Sequence, residues 1–73
     1  MKYLSEVKPG ESVRVKKLTA QGPVKKKLMD MGLTKNVDVH VRKVAPLGDP
    51  MELHVRGYEI SNRKAEAATI EVE

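Results

Sequence analysis

Apolar and polar positions alternate through much of this chain. In VDVHVRKV, Val37, Val39 and Val41 alternate with Asp38, His40 and Arg42; in MELHVRG, Met51, Leu53 and Val55 alternate with Glu52, His54 and Arg56. A period of two turns every second side chain to the same face, so both stretches read as half-buried antiparallel strands. SVRV, residues 12–15, starts an earlier strand, and TIEVE near the C-terminus gives another with Ile70 and Val72 inward. Around Gly57 the apolar phase moves from odd positions (Leu53, Val55) to even ones (Tyr58, Ile60). A glycine at a phase switch predicts a bulge or sharp bend, the device by which a short sheet curls towards closure.

One segment follows a different period. In GPVKKKLMDMGL, Val24, Leu28 and Met31 recur at i, i+4 and i+7, a helical stripe. Pro23 suits a first helical position, and Gly32 suits the left-handed position just past the end, with Leu33 folding back on Leu28. The expected helix covers residues 23–31. The fold class is therefore mainly β, with one short inserted α-helix.

The two alternating strands also suggest a register. Val41 opposite Leu53 and Val39 opposite Val55 keep apolar residues together, which sets Arg42 against Glu52, Asp38 against Arg56 and His40 against His54. Two of those outward pairs join opposite charges, each favourable by about 0.2–1 kcal/mol. The connecting loop, APLGDP, then has Leu47 at its centre. Gly48 and Asp49 supply turn chemistry and the prolines stop the ladder, but nothing in the turn requires a leucine at its tip.

Size bounds what such a chain can do. With 73 residues it is at most one domain, and about 60% of the unfolded surface is buried at this length, too little for a large internal active-site cavity. There is no cysteine, hence no disulfide framework or thiolate metal site. No apolar run approaches the roughly 20 residues that span a bilayer. MKYLSEVKPG lacks the apolar middle of a signal peptide, so a cytoplasmic location without membrane insertion is expected. Lys+Arg outnumber Asp+Glu by 14 to 10, a net charge of +4, which suits a nucleic acid, an anionic membrane surface or an acidic protein partner. The aromatic count weighs against nucleic acid and against polyproline binding. Tyr3 and Tyr58 stand alone, whereas single-strand nucleic-acid sites and polyproline grooves are built from several rings.

Along nearly its whole length the chain resembles the FeoA family of bacterial ferrous-iron uptake. The stretches that carry the likeness are LSEVKPGESVRV, KLMDMGLT and, most specifically, APLGDPMELHVRGYEISNRKAEAATIEVE. The resemblance implies an SH3-like small antiparallel β-barrel over residues 1–73, with a helix inserted early. It also implies a non-enzymatic accessory role through contact with the cytoplasmic, GTP-binding part of the FeoB transporter. Asn36 departs from the glycine expected after Leu33-Thr34, and asparagine tolerates positive φ. Two other readings are a nucleic-acid-binding barrel of the same fold, and a free-standing relative of an iron-dependent repressor's tail domain.

Candidate chemistry is sparse. Two histidines, no cysteine, no glycine-rich phosphate loop and serines without an activating context argue against catalysis and against a bound cofactor. His40 and His54, if paired across strands, lie about 5 Å apart at Cβ. Two imidazoles without a third ligand hold a metal ion weakly, so no tight, stoichiometric Fe(II) site is expected. Lys25, Lys26 and Lys27 occupy the first helical turn, where the macrodipole disfavours cations by about 0.3–1 kcal/mol each; only Asp30, at i+4 from Lys26, offsets them, so the three are candidates for contact with an anionic partner surface that would relieve the cost. Met29 falls off the core stripe and is a candidate for contact with a partner. Leu47 has two readings, an apolar anchor on a stiff loop or a plug folded into one end of the barrel.

Overall fold

A computed structural model describes residues 2–73. The strands are β1 (Lys2–Tyr3), β2 (Ser12–Leu18), β3 (Asp38–Val44), β4 (Met51–Val55), β5 (Tyr58–Asn62) and β6 (Ile70–Val72). The helices are α1 (Gly22–Asp30) and α2 (Lys64–Ala67), with a 3-10 turn at Leu4–Glu6 and a tight turn at Pro46–Gly48 whose central residue, Leu47, is not helical. The sheet runs β1-β6-β2-β3-β4-β5, and all of its pairings are antiparallel. β2 joins its two halves. Residues 12–14 pair with β3, and after Arg14 the strand turns to β6, with a register shift between Val15 and Lys17. A strand that changes partner at an irregularity folds a small sheet over on itself.

The alternation becomes the core. Val13, Val15, Val39, Val41, Leu53, Val55, Ile70 and Val72 are buried, joined by Leu4, Val7, Leu28, Leu33 and Met51. The expected register holds for Val39–Val55, His40–His54 and Val41–Leu53. Beyond Val41 the register shifts, and the next pairs are Lys43–Glu52 and Val44–Met51. Arg42 is the extra residue of a bulge and does not face Glu52; its guanidinium bonds the Glu59 carboxylate on β5. The bulge moves the apolar phase from odd to even, so Val44 packs against the core. The ladder ends at Val39–Val55, and Asp38 and Arg56 do not form the expected charge pair: Asp38 pairs with Arg14 at 3.4 Å, while Arg56 Nη2 donates to Thr34 Oγ1 at 3.2 Å.

Gly57 sits at a chain reversal rather than a bend within one strand. Arg56 (φ 53°) and Gly57 (φ 85°) are the two central residues of a tight hairpin between β4 and β5, the left-handed pair that such a two-residue loop requires. Tyr58, expected inward, is exposed beside this turn.

α1 begins at Pro23's predecessor, one residue before the expected start, and ends one residue early. Its C-terminus is a Schellman motif: Gly32 N–H donates to Met29 O at 3.0 Å and Leu33 N–H to Leu28 O at 3.0 Å, with Gly32 at φ 96°. Leu28 and Leu33 are both fully buried. Val24 does not join them, being 42% exposed. Only the C-terminal turn of this short helix seats on the core, so the first turn of the stripe overhangs it. α2 was outside the sequence expectations; Glu66 Oε1 accepts the Arg63 N–H at 3.1 Å at its start.

Candidate functional site

The three lysines of α1 diverge. Lys26 Nζ bonds Asp30 Oδ2 at 3.1 Å on the same helix, as the i+4 spacing suggests. Lys27 Nζ reaches across to Glu66 Oε2 at 2.7 Å and ties α1 to α2. That bond holds the Glu66 carboxyl below its ordinary range; burial opposes the shift and the Arg63 N–H reinforces it. Lys25 makes neither kind of contact.

Lys25 and Met29, one turn apart on α1, line one wall of a groove of about 710 Å³. Lys16, Lys17 and Leu18 from the second half of β2 line it as well, with Thr34, Lys35 and Asn36 of the following turn and Glu73 at the rim. The turn is held by Val37 N–H to Thr34 O (3.1 Å) and Asn36 N–H to Val15 O (2.8 Å), with Asn36 at φ 70°, as its residue type allows. Lys16 pairs with Glu71 at 3.5 Å. Lys17, Lys25 and Lys35 have no ion-pair partner among the described residues. Met29 is 46% exposed and Leu18 is half-buried, so an apolar strip lies among the ammonium groups.

Of the five sequence candidates, the groove unites Lys25 and Met29. Lys26 and Lys27 are engaged elsewhere, and Leu47 is not among the groove's residues. The plug reading of Leu47 fails: the side chain is 97% exposed, on a backbone at φ 71°. A left-handed leucine costs about 1–2 kcal/mol. The loop that imposes it closes through Ala45 N–H to Pro50 O (3.0 Å) and is fastened to α2 by Lys64 N–H donating to Asp49 Oδ1 (3.0 Å). Asp49 thus has a tertiary role that turn chemistry alone did not suggest.

Lys16, Lys17, Leu18 and Lys35 were missed. The available signal was the Lys16-Lys17 doublet, which interrupts the alternation of β2 where the register shifts. His40 and His54 are cross-strand neighbours as expected, and His40 Nδ1 lies 2.8 Å from Ser12 Oγ. No group of three or more metal-ligating side chains gathers around them or anywhere else among the described residues.

A second, smaller cavity of about 400 Å³ lies between the Asp49-Pro50 end of the loop and α2. It is bordered by Lys27 and Glu66 and by Asn62, whose buried amide has no protein hydrogen-bond partner on either atom.

The fold built around these sites has known counterparts. The FeoA domain model matches residues 2–73, and the chain belongs to the FeoA family, which is associated with ferrous-iron transport. A Porphyromonas gingivalis protein, an Fe(2+) transport protein A/Fe(2+) transporter FeoB fusion, is 33% identical over 70 residues, covering 96% of this chain. The solution structure of iron(II) transport protein A from Clostridium thermocellum superposes with a TM-score of 0.94 at 39% identity over 99% of this chain. This chain spans only 8% of the fusion protein and 44% of the Clostridium chain. The Stenotrophomonas maltophilia FeoA complexed with zinc, called a procaryotic SH3 domain protein, covers all of this chain and 91% of its own at a TM-score of 0.87. At 23% identity that likeness defines the fold, which is SH3-like.

Proposed function

We propose that this protein is a non-enzymatic accessory factor of ferrous-iron uptake that acts in the cytoplasm by contacting the GTP-binding cytoplasmic part of a FeoB-type transporter. The observation that carries the reading is the fused relative, in which a segment similar to this chain and a FeoB transporter share one polypeptide. Fusion holds two modules at high effective concentration, an advantage when the separate modules associate. The basic groove with Lys25 and Met29 supports a docking role, since an apolar strip ringed by positive charge suits an interface core with a steering rim. Leu47, fully presented on a tethered loop, is a second contact: its ordering entropy is already paid in the free protein. Lys26 and Lys27 serve mainly to shape α1 and its junction with α2, and contribute charge to the approach.

The test is capture of the cognate transporter's purified cytoplasmic domain by the immobilised chain, with and without GTP. Retention that is lost when Met29→Asp is introduced supports docking through this face. No retention in either nucleotide state contradicts the proposal.

A further inference from the structure

We propose that the groove between α1, the second half of β2 and the 34–36 turn is a docking cleft for an acidic peptide segment bearing a large apolar side chain. The assignment of that segment to the transporter rests on the functional reading above; the chemistry of the cleft rests on its residues.

Charge is the first argument. Lys16, Lys17, Lys25 and Lys35 converge on one groove against the single carboxyl-bearing side chain of Glu73. Elsewhere on the surface Arg14 meets Asp38, Lys26 meets Asp30, Lys27 meets Glu66 and Arg42 meets Glu59, while Lys8, Lys43, Arg56, Arg63 and Lys64 also lack an ion pair among the described residues; what distinguishes the groove is that its lysines line one concave surface. In the groove only Lys16 is paired, with Glu71. Like charges that outnumber their counter-charges repel one another, and a bound carboxylate relieves that repulsion. Lys25 adds a second cost, because it stands in the first turn of α1 where the helix dipole already favours an anion.

The groove is not only charged. Met29 and Leu18 give it an apolar floor, and a methionine adapts its three torsions to the shape of an incoming side chain. A phosphate or a nucleic-acid backbone has nothing to offer that floor. Neither Tyr3 nor Tyr58 lines the groove, so stacked bases have no platform. A volume of about 710 Å³ accommodates a few side chains rather than an extended phosphodiester track.

The test titrates the 15N-labelled full chain with a synthetic peptide of Glu and Asp interrupted by two Leu. The expected shifts concentrate at Lys16, Lys17, Leu18, Lys25, Met29 and the 34–36 turn, and weaken as salt rises. Replacing Lys25 and Lys35 together by Glu should weaken binding at least about tenfold. Replacing the peptide's Leu by Ser should also weaken it. Lys25→Ala with Lys35→Ala is the gentler control on folding and should weaken binding in the same direction. Shifts centred on another face, affinity indifferent to both lysine variants, or tighter groove binding by a single-stranded oligonucleotide or a phosphatidylglycerol vesicle would each overturn the proposal. Because no transporter is present, peptide binding without transporter capture refutes the functional reading alone. Transporter capture with no peptide binding refutes this one alone.

Discussion

Leu47 carries the sharpest contrast between what a residue contributes to folding and what it offers a partner. Its side chain is 97% exposed, so Leu47→Ala removes almost no buried area and should change unfolding stability by no more than about 0.5 kcal/mol in urea denaturation. The same variant should weaken association with the transporter's cytoplasmic domain by about 1–2 kcal/mol if the leucine is an anchor. Equal affinity for both forms would remove Leu47 from the interface. Lys27 shows the opposite balance: expected as interface charge, it pairs with Glu66 and holds two elements together. The folded Glu66 pKa lies below its unfolded value, so the pair's stabilisation is present at neutral pH and lost as pH falls through the folded pKa. Lys27→Met should raise the Glu66 pKa, measured by carboxyl 13C titration, and the stability gap between variant and parent should close in acid. A Glu66 titration unmoved by Lys27→Met would show that the bond is not held in solution.

At the scale of elements, what was legible were the strands and the helix end, because each is written in local periodicity. The Gly32-Leu33 cap followed from residue type alone, and the central register followed from matching apolar faces. The missed features were set by tertiary geometry. The Arg42 bulge leaves only a doublet of polar residues in sequence, and the pairing of Arg42 with Glu59 requires β5 to lie beside β4. That neighbourhood exists because Arg56-Gly57 reverses the chain, which the phase switch registered as a discontinuity without revealing its angle. Gly57→Ala tests the turn. A Cβ there meets no atom within 4 Å, so any loss comes from the backbone at φ 85°. The expected cost is about 1–2 kcal/mol, read from the urea midpoint; an unchanged midpoint would argue against the left-handed turn.

For the whole molecule, composition and resemblance led to the SH3-like class, but only the fold could assemble the groove. Lys16 and Lys17 on β2, Lys25 on α1 and Lys35 in the next turn are spread over 20 residues of sequence, and they share a surface only because β2 turns from β3 to β6. In the linear chain Lys25, Lys26 and Lys27 formed one run; in three dimensions they serve three different neighbourhoods. The proposed docking therefore turns on whether this face of the protein is the one a transporter domain would cover. The most direct measurement is amide chemical-shift mapping of the 15N-labelled chain on addition of the transporter's purified cytoplasmic domain. The predicted result is a perturbed patch covering Lys17, Leu18, Lys25, Met29 and Lys35, with a separate change at Leu47 and little at His40 and His54. A patch centred on the His40–His54 face, or a spectrum unchanged at saturating partner, would contradict it.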